Sequence, residues 1–442
     1  MNENNRGWNM SYNPHTAEDR QKMLETLGLS SVKELFADIP EAYRYPEVNI
    51  PEGLSEMEVK NRLSSLAGAN QNSEEGLWFL GGGIYRHYIP SVVDAVLSRG
   101  EFFTAYTPYQ PEVSQGTLQA LFEFQTMVAE LYGMDVVNAS HYDGAASMAE
   151  AALMALRCKP GRQTIYLDDN IHPEYKEVMR TYLSGTKAHL KEGLPGEDGA
   201  CFITAYPGFT GEIKDLKALS GLAHDAGALF IVHADPLACS LLESPGACGA
   251  DIVTGEGQPL GIPMSYGGPT LGLFATTKKL IRKMPGRVVG QTMDASGRAG
   301  CVLTFSAREQ HIRREKATSN ICSNQGLLAL AAAVYMAAMG KQGIKETARL
   351  IYDKGAYAAS VLDKVPGFQV KTSGPFFREF VLSCPRPARD IAHELELKGI
   401  FPGLALDRFE GFPESDLLVC VTEMNSKNDI DSLAAALGEV SK

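Results

Sequence analysis

"ADIVTGEGQPLGIPMSYGGPTLGLFAT", residues 250–276, decides how this chain is read. Its two ends, "ADIVTGEG" and "GPTLGLFAT", are short apolar runs, and glycine and proline punctuate the stretch between them. That pattern predicts strand, loop, strand. The loop holds Gln258, and no lysine occurs from residue 218 to residue 277.

Upstream the same pattern repeats with helices inserted. "MDVVNAS", "QTIYLDD", "ACFITAY" and "ALFIVHAD" read as strands. "AASMAEAALMALRC", "HPEYKEVMRTYL" and "KDLKALSGLAHDAG" read as the helices between them. Apolar β-rich runs alternating with helices predict a mostly parallel sheet covered on both faces, with ligands at the carboxyl ends of the strands. Downstream, "KKLIRKM" reads as the opening of a helix. "SNQGLLALAAAVYMAAMG", residues 323–340, is short of a membrane span and reads as a buried core helix. No uninterrupted apolar run of about 18 residues occurs. After it, "GIKETARLIYDKGAYAASVLDKV", "FFREFVLSC", "ARDIAHELELKG", "LLVCVTE" and "DIDSLAAALGEV" alternate helix and strand as a small α+β domain. At the other end, Thr16 with Asp19, Ser31 with Glu34 and Ser55 with Glu58 mark three short helices, the first ended by Gly28. Such helices would wrap a larger body or a partner. The expected organisation is a helical arm over 1–75, a large α/β domain over 76–325 and a small α+β domain over 326–442.

The 442 residues suit two or three domains. A net charge of −12 argues against a nucleic-acid footprint. None of the eight cysteines forms a C-x-x-C pair, so reduced thiols are expected rather than disulfides or zinc. The polar start lacks an apolar leader core, so the expected location is cytoplasmic, with no membrane partner. His141, His233 and His311 have no metal-ligand spacing, and no metal site is expected.

Five positions suggest a ligand site. Gly144 and Ser147, in "YDGAASMAEAALMA", sit at a strand-to-helix turn whose N–H groups could cradle a phosphate. The same turn could equally be a plain one with small residues for packing. His172 could lie over a planar ring, or simply open a helix. Asp235, closing "IVHADP", could pair with a pyridinium nitrogen, or cap a turn before Pro236. Gln258 is the fifth. Separately, "YTPYQPEVSQG" stiffens Tyr106, Thr107, Tyr109 and Gln110 between prolines. That loop reads as a site or interface wall, or as a loop stapled to its own core. "FLGGGIYRHYIP", residues 79–90, is glycine-rich but lacks nucleotide-binding spacing.

Taken together, "FLGGGIYRHYIP", "YTPYQPEVSQGTLQALFEFQTMVAELYGMDVVNAS", "YDGAASMAEAALMA" and "GADIVTGEGQPLGIPMSYGGPTLGLFAT" resemble the N-terminal half of the glycine-cleavage P-proteins. More closely they resemble the first-subunit type of the two-subunit form. The resemblance covers nearly the whole chain. It implies an aspartate-aminotransferase-like, fold type I pyridoxal-phosphate architecture and a heterotetramer pairing two related halves. It also implies glycine decarboxylation, with transfer of the aminomethyl group to the lipoyl arm of the H-protein. In the partner half the cofactor lysine precedes an Ile-Pro and a glycine run. Aligning Ile262-Pro263 and Gly267-Gly268 with that pattern puts Gln258 at the lysine position. An amide cannot form a Schiff base. The resemblance therefore implies pyridoxal phosphate on the lysine-bearing subunit 2, vestigial residues here, and Tyr106, Thr107, Tyr109 and Gln110 as a wall of the partner's site. Two alternatives stay open: a self-sufficient pyridoxal-phosphate lyase or aminotransferase using Lys278, and a non-catalytic scaffold.

Overall fold

The segment "GACFITAY" is buried at every one of its eight positions. Its side chains alternate between two cores, as strand pleating requires: Phe202 enters one cluster, Cys201 and Ile203 another. In this computed structural model, which describes residues 15–44, 46–317 and 319–441, that strand is central to a seven-stranded sheet. The strands are β1 (Val136–Val137), β2 (Thr164–Leu167), β3 (His189–Glu192), β4 (Gly199–Tyr206), β5 (Leu229–Ala234), β6 (Ile252–Glu256) and β7 (Gly272–Thr276). Their order is β1-β7-β6-β5-β4-β2-β3. The β6/β5/β4/β2/β3 pairs are parallel; β7 is antiparallel to both β6 and β1. The sheet is thus mixed and mostly parallel, as expected of a fold type I body.

The chain divides into two compact units, one ending at Asn70 and the other beginning at Gln71. In the first, α1 (Ala17–Leu27) and α2 (Glu56–Ala67) each start with a complete capping box, Thr16 with Asp19 and Ser55 with Glu58. Gly28 ends α1 at φ 69°, the left-handed conformation that favours glycine. Ser31 and Glu34 are hydrogen-bonded to each other, yet Val32–Phe36 is a 3-10 turn, not an α-helix. A run of five residues is too short to repay α-helix nucleation.

In the second unit, helices α3 (Gln115–Tyr132), α4 (Gly144–Cys158), α5 (Pro173–Leu183) and α6 (Leu216–Asp225) flank the sheet. α4 is almost wholly buried and packs on α5 and β6. Helix α7 (Gly326–Leu362) packs on α3. By length and composition α7 could cross a membrane. Ala329, Leu330, Tyr335 and Met336 are nevertheless buried in the core, which makes it a core helix. Its backbone leaves helical geometry at Gly340, φ 60° and ψ 176°, between the two helices expected from sequence.

Strands β8 (Val288–Met293) and β9 (Ala299–Thr304) form an antiparallel hairpin that the sequence reading missed. A second sheet follows, β10 (Gln369–Val370), β11 (Glu379–Ser383), β12 (Leu404–Ala405) and β13 (Asp416–Cys420), in the antiparallel order β10-β11-β13-β12. It packs on α8 (Ala388–Glu396) and α9 (Lys427–Val440) around its own apolar cluster. Two expectations fail locally. "KKLIRKM" forms only the 3-10 turn Ile281–Lys283, because Pro285 directly after the run disfavours helix at the residue before it, and Met284 is extended. "MDVVNAS" shrinks to Val136–Val137; Met134 N bonds back to Ala129 O of α3, and Ala139 N bonds to Arg287 O outside the sheet.

Candidate functional site

The parallel strands end on one side of the sheet. Asp235 directly follows β5, Glu256 is the last residue of β6, and Gln258 lies two beyond. His172 caps α5, which follows β2, and Gly144 opens α4, which follows β1. The structure therefore brings Gly144, His172, Asp235 and Gln258 to the carboxyl ends of the strands. Beside His172 and Asp235 lies a small cavity of about 90 Å³, lined among others by Gly83, Tyr175, His233 and Glu256. Ser147 lies apart from it. Its buried Oγ finds no hydrogen-bond partner among the described residues and faces Gly272 instead.

The charged groups around this cavity are engaged by the chain itself. Asp235 accepts from Ala238 N at 2.8 Å and pairs with Arg378. Arg378 is only 3% exposed and lies over the Tyr85 ring at 4.3 Å. Burial pulls the guanidinium pKa down, but the negative charge of Asp235 and its neighbours outweighs it and the pKa is raised. Arg378 Nη1 donates to His87 Nε2 at 2.6 Å, so His87 Nδ1 carries the proton towards Glu423, 2.8 Å away. Glu379 accepts from Gly82 N at 2.6 Å and from the Tyr85 hydroxyl at 2.9 Å; burial raises its pKa.

Gln258 is part of the same closure. Its Oε1 accepts from Tyr85 N at 3.0 Å, and its Nε2 donates to Tyr85 O at 2.9 Å and Ile262 O at 2.8 Å. The side chain at the expected lysine position thus clamps the loop over residues 79–90. His172 Nδ1 accepts from Glu174 N at 3.1 Å, so its Nε2 donates to Gly82 O at 2.9 Å. Its ring is stacked on Tyr175 at 5.1 Å and tilted against Phe209 at 4.5 Å. Burial lowers its pKa and pushes that of His233 down to about 3.

At the helix turn, Glu256 Oε2 accepts from Gly144 N at 2.9 Å. Its Oε1 accepts from Gln258 N at 2.9 Å and Leu271 N at 3.0 Å. Burial pushes this carboxyl up to about 7, against the pull of those donors and of Thr270.

The tyrosine loop lies elsewhere and borders a cavity of about 270 Å³ that shares no lining residue with the first. Tyr106 and Thr107 line it, with Phe102, Leu121, Asn324 and Gln325. Tyr106 is 85% exposed. Tyr109 is half exposed, but its hydroxyl accepts from Arg287 Nη2 at 2.9 Å and its ring meets His311 edge-on at 5.8 Å. Gln110 is exposed and precedes the turn Pro111–Val113. Lys278 follows the far end of β7, where Thr276 pairs with Ile252 at the start of β6, the edge away from Glu256. It cannot reach the cavity at the carboxyl ends, which rules out a Schiff base from Lys278 there.

The sequence profile of the glycine cleavage system P-protein matches residues 10–437. The chain belongs to the glycine cleavage system P-protein family. Among its P-protein relatives, the "probable glycine dehydrogenase (decarboxylating) subunit 1" of Brevibacillus brevis is 50% identical, covering 98% of this chain and 99% of its own. The protein of the same name from Geobacillus thermodenitrificans is also 50% identical, over 97% and 98%. A crystal structure of glycine decarboxylase (P-protein) in inhibitor-bound form superimposes with TM-score 0.91 at 43% identity, over 98% of this chain and 100% of that one. The lyase C-DES, solved with glycine covalently linked to its pyridoxal-phosphate cofactor, shares the fold at 15% identity and TM-score 0.59, over 84% of this chain and 100% of that one.

Pyridoxal phosphate, the cofactor this fold holds in such relatives, does not fit the residues present here. A carboxylate occupies the helix turn where a phosphate would sit, Asp235 is neutralised by Arg378, and Gln258 supplies an amide in a clamp. Sequence reasoning missed Glu256, Arg378 and Glu379. The signal was present in "FFREFVLSC", where two adjacent charges interrupt an apolar strand, since charged residues are almost never fully buried unless paired.

Proposed function

We propose that this chain is subunit 1 of a two-subunit glycine dehydrogenase (decarboxylating), active only when paired with a second subunit bearing the Schiff-base lysine and pyridoxal phosphate. Gln258 carries the reading: it cannot form the linkage, and it is locked to Tyr85 and Ile262. The family membership and the names of the 50% identical relatives support it. Pyridoxal phosphate on the partner would supply the electron sink for loss of carbon dioxide from glycine. This chain would contribute a wall around Tyr106 and Thr107 that shapes the partner's site and excludes water, with Tyr109 and Gln110 behind it. The aminomethyl group would pass to the lipoyl arm of the H-protein.

The test mixes the purified chain with the lysine-bearing subunit and lipoylated H-protein and follows glycine–bicarbonate exchange. Activity should appear only with both subunits and saturate at one to one. Full exchange by the second subunit alone, or a reducible pyridoxal adduct on this chain that supports turnover, would overturn the proposal.

A further inference from the structure

We infer that Glu256 is a built-in occupant of an anion cup. Its carboxylate fills, from within the chain, a place at the N-terminus of α4 that could otherwise hold a phosphate oxygen.

Four observations carry this. First, donors from three separate segments converge on one carboxylate: Gly144 N at 2.9 Å, Gln258 N at 2.9 Å and Leu271 N at 3.0 Å. Such convergence of backbone N–H groups at the start of a fifteen-residue helix is how proteins hold oxyanions. Second, Glu256 is not the cap of α4. Asp143 already fills that role, accepting from Ala146 N at 2.7 Å. The carboxylate comes instead from the end of β6, 112 residues along the chain. Third, the turn is shaped for close approach by backbone. A Cβ added to Gly144 would stand 3.0 Å from Glu256 Cβ and 3.1 Å from its N, too tight for an ordinary contact. Fourth, one polar group beside the cup stays unanswered. Ser147 Oγ, fully buried one turn into α4, has no partner and lies against Gly272, next to the Leu271 donor. A bulkier, multiply accepting anion would have uses for a hydroxyl that a two-oxygen carboxylate leaves idle.

If the carboxylate is the occupant, deleting it vacates the cup and leaves its donors unmet, so an external oxyanion should enter. This stands apart from the reading of the partner's site, because its test needs neither partner nor turnover. The probe is inorganic phosphate, added to the full chain at constant ionic strength with chloride as control. Three proteins are compared by thermal melting and by phosphorus NMR line broadening: wild type, Glu256→Ala and Glu256→Gln. The Ala variant should gain saturable stabilisation by phosphate with at least a tenfold lower Kd than wild type. The Gln variant, which refills the volume without charge, should respond no more than wild type. A folded Ala variant that phosphate stabilises no more than chloride does would overturn the proposal, and so would a wild type that binds phosphate as tightly as the Ala variant. Should the Ala variant melt without cooperativity, recovery of a cooperative melt on adding phosphate supports the cup, and no recovery overturns it.

Discussion

Around Asp235 the cavity is lined by charged groups that are answered from inside the chain; around Tyr106 none of the lining residues is charged. The first cavity is small and ringed by Asp235, Arg378, Glu379 and Glu256, each bonded to another part of the same molecule. The second is three times the volume and bordered by a tyrosine that stands almost free. A buried polar network that is fully satisfied rigidifies a fold, whereas a stiff loop presenting aromatic area suits a surface meant to be covered. On the proposed reading, the place where this fold keeps its cofactor in relatives is closed here by the chain's own side chains, and the loop at Tyr106 would be the working surface.

The sharpest way to break that contrast is to exchange the expected effects. Tyr106→Ala should leave the isolated chain as stable as wild type and lower glycine–bicarbonate exchange in the assembled complex by roughly thirtyfold, the ~2 kcal/mol typical of an aromatic anchor. Undiminished exchange at saturating partner would return the loop to a mere staple. Gln258→Leu should do the reverse. It strands the Tyr85 N–H and two carbonyls, costing about 3 kcal/mol in chemical denaturation at the usual penalty per unsatisfied buried group. Exchange measured where the variant remains folded should stay near wild type. A stable Gln258→Leu chain with dead exchange would mean the closed cavity still takes part in the reaction.

A third measurement concerns pH. The Glu256 carboxyl is pushed up to about 7 in the folded chain, above its ordinary carboxylate value, so the folded state holds its proton more tightly than the unfolded state. Stability contributed this way is present at low pH and is lost as pH rises from about 4.5 to about 7. Wild type should therefore lose stability relative to Glu256→Gln across that window, by up to about 3 kcal/mol at 1.36 kcal/mol per unit. A pH-independent difference between the two would show that the carboxyl titrates normally. Smallest of all should be Tyr109→Phe. Its hydroxyl is spent on Arg287 rather than offered outward, so the expected loss is about 1 kcal/mol of stability in a melt, with exchange barely changed.

The alternation of strands and helices was legible because buried parallel strands are continuous apolar runs, and "ACFITAY" and "ALFIVHAD" are too short for helices and rich in β-formers. Capping boxes at Thr16 and Ser55 were legible because they are local. The hairpin β8–β9 was not: "VVGQTMDASGRAGCVLT" carries only part of the alternation, and backbone N–H groups of its two strands are answered by Gln115 and Gln125 of α3, distant in sequence. The closure of the cavity was out of reach for a related reason. Arg378 and Asp235 are 143 residues apart, Gln258 and Tyr85 are 173 apart, and no period links them. Gly144, His172, Asp235 and Gln258 could be gathered from their positions after strands; what each would touch could not.

Gln258 shows what such an exchange of residue does to a joint. A primary amide presents the same donor and acceptor pair as a peptide group, and here it bonds both the N–H and the C=O of Tyr85, as a neighbouring β-strand would. One side chain thus acts as a single rung of sheet for the loop at Tyr85. It carries no charge to screen and no proton to lose in the physiological range, so the joint should hold equally at any salt and any pH the cell meets. An ammonium in its place would be all donor and could answer only the carbonyl.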